Sequence, residues 1–174
     1  MKNRNIQFKA TARLVIPLLL TCSVAVFTIT PAPAIAADQV PFSASFGTEF
    51  TSEFVPPFYL RVFITGEGNA SHMGRTSAVT TDQLINLEDG SGTATYTLTA
   101  ANGDTVVVAI TAQNTDIRGG VMFAGDYSIT GGTGRFYAAT GSGSIAGAAF
   151  FTGPTSGVGS FTLAGTIFSP GHGH

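Results

Sequence analysis

The sequence predicts an all-β domain, a closed eight-stranded antiparallel up-and-down barrel, with a β-sandwich as the alternative. Three observations support this fold class. Apolar and polar residues alternate with a period of two along most of the chain after residue 40. Short turns rich in Gly, Asn and Asp separate these runs, which favours hairpins between neighbouring strands. Beyond the apolar N-terminus, no window of helical length combines a helical period with caps.

Residues 1–36 have the pattern of a signal peptide. Four basic residues are followed by an apolar run from Leu14 to Ile29, and Ala34-Ile35-Ala36 supplies small residues at positions −3 and −1 of a cleavage site. We therefore expect a secreted protein, either periplasmic or extracellular, that consists of a barrel over 37–168 and a disordered tail over 169–174.

Two other interpretations of the N-terminus stay open. A permanent membrane anchor is disfavoured because Pro17 interrupts the apolar run and a cleavage site follows it. A lipoprotein attached through Cys22 is disfavoured because Thr21 precedes that cysteine, where a smaller residue is usual. Cys22 is the one cysteine of the chain, so cleavage after Ala36 leaves a domain without disulfides, stabilised by buried surface and backbone pairing.

The charge balance excludes some partners. Both lysines precede residue 37, which leaves four arginines against ten acidic residues and a net charge of −6. We expect no nucleic-acid partner and, after signal cleavage, no membrane partner. We also expect no cofactor and no metal, because the sequence offers no cysteine–histidine cluster or phosphate loop, and His172 and His174 alone are too few ligands.

The alternating runs define the strands in order. Expected strands are 42–50, 58–70, 75–87, 92–101, 104–113, 121–130, 140–151 and 157–168. Their apolar faces are Phe58, Leu60, Val62 and Ile64 in the second strand; Ala94, Tyr96, Leu98 and Ala100 in the fourth; Val106, Val108 and Ile110 in the fifth; Val121, Phe123, Tyr127 and Ile129 in the sixth; and Phe161, Leu163 and Ile167 in the eighth. The segment 79–87 is ambiguous between a strand and a short helix.

The turns are defined by their chemistry. Asn102-Gly103 is the strongest hairpin signal, because a type I′ turn needs positive φ at both central residues. The last two strands are rich in Gly and Ala, which either leave space inside the barrel or mark bulges and corners where strands bend. Both interpretations stay open from the sequence.

One segment carries a family resemblance. The run from Tyr127 to Phe136, YSITGGTGRF, followed by Ala139-Thr140-Gly141, resembles the strand, turn and strand of the allene oxide cyclase and dirigent β-barrels. The resemblance covers about residues 92–152. Together with the signal peptide and the element from Gly68 to Gly74, the chain looks like a bacterial exported branch of that superfamily.

The resemblance implies more about the fold than about the chemistry. Characterised members steer reactive intermediates, phenoxy radicals or an unstable fatty-acid epoxide, inside an apolar barrel without a cofactor, and the plant proteins are trimers. The resemblance therefore implies a homo-oligomer here, and the resemblance is the only basis for expecting a trimer. The segment Phe54 to Arg61 shows no Glu-x-Asn pattern like that of the family, so no catalytic residue is carried over and enzymatic activity is not predicted.

The glycine-rich turn is expected to be architectural. Gly131, Gly132 and Gly134 allow φ values that other residues avoid, and Phe136 is expected to plug one end of the barrel. Candidate functional residues lie elsewhere. The candidate catalytic residues are His72, Arg75 and Asp126, and the candidate ligand contacts are Tyr59, Arg61, Tyr96 and Tyr127.

Each candidate has a structural alternative. His72 could instead hold a loop, and Asp126 falls on the strand face opposite Phe123 and Tyr127, which predicts a solvated carboxylate. Three functions remain: a carrier of a small hydrophobic molecule, which we prefer; a cofactor-free enzyme that steers a reactive intermediate; and a structural or interaction protein of the cell surface with threonine-rich outer faces.

Overall fold

A computed structural model describes residues 39–169, and the predicted signal peptide, Cys22 and residues 170–174 lie outside this range. The described chain forms eight strands and one short 3₁₀ turn, Gly134–Phe136. The strands are β1 (Val40–Val55), β2 (Tyr59–Ala70), β3 (Gly74–Asn86), β4 (Ser91–Ala100), β5 (Thr105–Ile117), β6 (Gly120–Gly132), β7 (Thr140–Phe151) and β8 (Ser156–Phe168). The described residues include no helix with the length and hydropathy of a membrane-spanning segment.

The strands form a closed antiparallel barrel in sequence order, as predicted. Each strand pairs with its chain neighbours, and β1 closes the ring by pairing with β8 from Val40↔Ile167 to Thr51↔Ser156. This closure removes the unpaired edges that a sandwich would keep. The expected bounds 42–50 for the first strand were too short, because β1 runs to Val55 by pairing with the start of β2.

The two ends of the barrel differ. We call the end that carries turns 56–58, 87–90, 118–119 and 152–155 the open end, and the opposite end the closed end. At the closed end the lumen is filled by side chains, among them Leu98, Val106 and Phe136, each fully buried. Inward-facing positions alternate with outward ones along most of each strand, so this core follows from the period-two pattern.

Aromatic rings cover the inward glycines. Phe50 pairs with Gly157, and Phe123 pairs with Gly147, across neighbouring strands. A Cβ at Gly157 would come within 2.5 Å of the Phe50 ring, and one at Gly147 within 2.4 Å of the Phe123 ring. These glycines of β7 and β8 therefore make room for rings from adjacent strands, an arrangement known to restore packing over glycine in sheets.

The hairpin at Asn102-Gly103 is present, but the expected type I′ turn was wrong. Gly103 has a positive φ of 89°, whereas Asn102 is not among the described residues with positive φ. The Gly103 N–H donates to Ala100 O at 2.9 Å, and the Asp104 N–H donates to Asn102 Oδ1 at 3.2 Å. The side chain of Asn102 thus stabilises a four-residue connection in place of a two-residue turn.

The glycine-rich turn lies at the closed end and positions Phe136 under the lumen. Gly131 and Gly134 have positive φ values of 150° and 58°. Gly132 has no positive φ, and its glycine is explained instead by close approach, since a Cβ there would lie 2.1 Å from Thr105 O. Phe136 is 0% exposed. Arg135 donates to Asp104 Oδ2 at 2.8 Å and so ties the turn to the β4–β5 connection.

The Asp104–Arg135 pair makes stability depend on pH. The hydrogen bond from Arg135, followed by that from Asn102, lowers the pKa of Asp104 below its ordinary 3.8. A carboxylate with a lowered folded-state pKa stabilises the fold above the unfolded-state pKa and loses this contribution as pH falls through the lower value. We therefore expect the free energy of unfolding to fall less in Asp104→Asn than in the unaltered protein when the pH is lowered from neutral to below 3.8. Urea unfolding at the two pH values measures this, and equal losses in the two proteins would contradict it.

Candidate functional site

A cavity of about 400 Å³ occupies the half of the lumen that faces the open end. Its walls are mainly aliphatic and aromatic, and its inner end is formed by Tyr96, Ile145 and Phe161, which are 3%, 2% and 2% exposed. Phe161 stacks on Phe46 with ring centroids 4.9 Å apart, and the ring centroids of Tyr96 and Phe161 are 5.2 Å apart. A mainly apolar site of this size, open at its mouth and closed at its inner end by packed rings, is of the kind that holds small organic molecules.

A β-bulge brings a polar side chain into this cavity. In β3, Thr76, Ala78 and Thr80 face the lumen, and the pairing with β4 shifts register between Thr80 and Asp82. After the shift, Gln83 and Ile85 line the cavity. Bulges commonly re-aim side chains in this way next to binding sites.

Gln83 meets Tyr96 inside the lumen. The Tyr96 hydroxyl donates to Gln83 Oε1 at 3.4 Å, a long hydrogen bond. Burial raises the pKa of Tyr96, so its hydroxyl stays protonated at neutral pH. Thr48 and Asn114 are further polar residues on the wall. The cavity thus offers a few neutral hydrogen-bonding groups in apolar surroundings.

The rim of the cavity is held by hydrogen bonds between β5 and the β3–β4 turn. Asn114 Nδ2 donates to Gly90 O at 2.9 Å, and Gln113 Nε2 donates to Asp89 O. The Ser91 hydroxyl and N–H both donate to Asp89 Oδ1, and these bonds lower the pKa of that carboxyl. These hydrogen bonds hold the mouth in shape, and the lowered pKa keeps the Asp89 carboxyl ionised at neutral pH.

The four candidate ligand contacts lie in different places. Tyr96 lines the cavity. Tyr127 is buried in the closed-end core, with its ring 6.3 Å from that of Phe42 in an edge arrangement. Tyr59 is 40% exposed beside an outer groove, and Arg61 is paired with Glu53 at 2.7 Å and does not line the cavity.

The three candidate catalytic residues lie outside the cavity. His72 adopts a φ of 64° in the β2–β3 turn at the closed end, where Nε2 lies 3.0 Å from Pro41 O and donates in the tautomer that carries the proton there. Arg75 is exposed, with Nε 3.8 Å from Glu67 Oε2. Asp126 is exposed on the outer face, which agrees with the period-two expectation of a solvated carboxylate. The three residues do not form a common site.

The Tyr127 hydroxyl gives a stability prediction. It is buried with no hydrogen-bond partner in the described part of the chain. An unpaired buried hydroxyl costs about 1–3 kcal/mol, so we expect Tyr127→Phe to raise the free energy of unfolding by about 1 kcal/mol. Urea denaturation with a fixed m-value measures this, and a destabilised variant would show that the hydroxyl has a partner. Tyr96→Phe, which removes a bonded hydroxyl, is the matched control and should not stabilise.

Sequence reasoning missed several cavity residues. The inward position of Gln83 was missed because a bulge in β3 breaks the alternation of inward and outward residues. Asn114, in contrast, continues the inward series of Ile110 and Ala112 along β5, so the period of two could have placed it. Among residues 39–169, no group of three or more His, Cys, Asp or Glu side chains is placed to hold a metal ion.

Comparisons with known proteins give a distant structural likeness. No protein-family model matches the chain, and no curated protein matches it in sequence. A solved structure described as a pterocarpan synthase dirigent protein is similar over 83% of this chain and 99% of that chain, with a TM-score of 0.46 and 13% identity. A likeness at this level carries no argument, so the function has to be inferred from the cavity itself.

Proposed function

We propose that this protein, exported with removal of residues 1–36, is a carrier that binds a small apolar molecule in the open-end cavity. The observation that carries the proposal is the cavity of about 400 Å³, lined mainly by apolar side chains and closed at its inner end by Tyr96 and Phe161. Transfer of apolar surface from water into such a site supplies the binding free energy, about 25 cal/mol per Å² buried.

Binding has more support than catalysis. An enzyme that steers a reactive intermediate needs polar groups at the place where the intermediate is held. His72, Arg75 and Asp126 lie outside the cavity. The acidic residues on the lining, Glu88, Asp89 and Asp116, lie at its open end, and the polar side chains farther inside are amides and hydroxyls such as Gln83 and Tyr96. These groups can orient a ligand by hydrogen bonds, which is what a carrier requires.

The test blocks the cavity and measures binding of a neutral fluorescent probe, N-phenyl-1-naphthylamine. Ala149 lines the cavity, whereas Ala146 on the same strand is exposed on the outer face. We expect the probe to fluoresce with the unaltered protein and with Ala146→Phe, and to bind at least about tenfold more weakly to Ala149→Phe, a loss of about 1.4 kcal/mol.

Two results would contradict the proposal. The first is the absence of probe fluorescence with the unaltered protein at high probe concentration. The second is unchanged affinity in Ala149→Phe, which would place the probe elsewhere, such as the outer groove beside Tyr59. Far-ultraviolet circular dichroism of both variants checks that the barrel is intact, so a loss confined to Ala149→Phe reports on the cavity.

A further inference from the structure

The cavity combines a hydrogen-bonding pair with a lining that lacks positive charge. We propose that the Gln83–Tyr96 pair is a subsite for the hydroxyl or carbonyl group of a neutral apolar molecule, and that the cavity discriminates against carboxylates of the same size. This inference rests on the proposed carrier function and specifies the class of ligand. It depends on three features: the orientation of Gln83, the geometry of the pair, and the charges around the cavity.

The bulge in β3 determines which side chain enters the lumen. Without the register shift between Thr80 and Asp82, the alternation would continue through Asp82 and Leu84 on the inner face. With the shift, Asp82 is exposed outside and Gln83 lines the cavity. The fold therefore places a neutral amide where an unbroken strand would place a carboxylate, which keeps a charge out of the inner part of the cavity.

The Gln83–Tyr96 pair has unused hydrogen-bonding capacity. Its one bond, from the Tyr96 hydroxyl to Gln83 Oε1, is 3.4 Å long, and Gln83 Nε2 donates to no atom of the described residues. An amide carries two donor hydrogens and an acceptor oxygen, so the pair offers both a donor and an acceptor whichever way the amide is turned. A hydroxyl or carbonyl oxygen of a ligand can bond to this pair while its apolar part contacts Phe161 and Ile145.

The charges around the cavity disfavour anions. None of the cavity-lining residues within 39–169 is Arg, Lys or His, whereas Glu88, Asp89 and Asp116 lie on the lining at the open end. A carboxylate inside the lumen would lose hydration without a cationic partner, and one at the mouth would lie near these carboxylates. Arg118 lies in a turn at the same end but does not line the cavity.

The test compares decan-1-ol with decanoate at neutral pH as competitors of N-phenyl-1-naphthylamine on the unaltered protein. The two competitors share a chain length and differ in their polar group. We expect decanol to displace the probe at a concentration at least about tenfold lower than decanoate does. In Gln83→Met and in Tyr96→Phe, we expect the affinity for decanol to fall by about three- to tenfold, the range of one net hydrogen bond. Gln39→Met, a glutamine at the closed end, is the matched control and should leave both competitors unchanged.

The possible outcomes separate this inference from the carrier function. If both competitors displace the probe equally, or decanoate does so better, the selectivity is overturned while the carrier function stands. Loss of decanoate binding in Arg118→Gln would then identify that arginine as an anchor for anions. If decanol binds unchanged in Gln83→Met and Tyr96→Phe, the subsite is overturned. If neither competitor nor the probe binds the unaltered protein, the carrier function fails and the subsite with it.

Discussion

Phe136→Ala is expected to remove about 3–5 kcal/mol of the free energy of unfolding, the largest single effect that the structure predicts. The ring is 0% exposed and belongs to the core cluster that includes Val106 and Ile129. It lies on the turn between β6 and β7, so its removal leaves a cavity in the core at the closed end. Since domains of this kind are stable by about 5–15 kcal/mol, the variant should unfold at a much lower urea concentration.

Tyr137→Ala is the matched control for this prediction. Tyr137 is the adjacent aromatic residue, and 74% of it is exposed. Its truncation removes few packing contacts, so we expect a change within about 0.5 kcal/mol. Urea unfolding of both variants, followed by circular dichroism, gives the comparison. Similar losses in the two variants would show that the turn contributes through its backbone, and a loss below about 1 kcal/mol in Phe136→Ala would contradict its role as the plug.

The fold was predictable because each strand and each connection is determined by the residues of that segment. Each strand alternates inward and outward residues, and each connection joins chain neighbours, so the run of apolar residues in β4 or β5 already identifies the strand and its inner face. The bounds of β1 were less accurate because Thr51 to Val55 are held by pairing with Tyr59 and its neighbours. Such pairing between strands contributes no periodic signal to the segment itself.

The candidate site was less predictable, because it depends on where the alternation is broken and on what fills the lumen. Gln83 enters the cavity through a register shift that depends on both β3 and β4. Tyr127 and Tyr96 share the same inward pattern, yet only Tyr96 lines the cavity. The difference is their depth along the barrel: Tyr127 lies in the closed-end core, and depth along a barrel follows from closure of the ring and not from local sequence.

The aromatic residues explain why one half of the lumen is filled and the other is not. Near the closed end, Tyr127 extends to Gly165, where a Cβ would lie 2.7 Å from its hydroxyl oxygen. Nearer the open end, Phe123 and Phe50 lie over Gly147 and Gly157 against the wall, which keeps these rings beside the cavity they line. Small residues in β7 and β8 thus determine how the rings lie, and the rings in turn bound the space left for a ligand.

Gly143→Ala is expected to destabilise the barrel by about 2–3 kcal/mol although it adds a single methyl group. Gly143 pairs with Tyr127 on one side and Gly165 on the other. A Cβ at this position would lie 2.2 Å from Ala164 O and 2.6 Å from the Gly165 Cα, so two strands would have to move apart. The reduced freedom of the unfolded chain offsets only about 0.4–1 kcal/mol of this cost.

Gly47→Ala separates this steric effect from the general consequence of replacing glycine in a strand. Gly47 lies on the outer face of β1, and a Cβ there meets no atom within 4 Å. We expect Gly47→Ala to leave the free energy of unfolding unchanged or to raise it by up to about 1 kcal/mol, because alanine reduces the conformational freedom of the unfolded chain and meets no clash in the folded one. Urea unfolding of the two variants should therefore give changes of opposite sign or of very different size. Equal destabilisation of the two variants would contradict the prediction. It would mean that the close approach of β7 and β8 at Gly143 adds no steric cost to the replacement of a glycine.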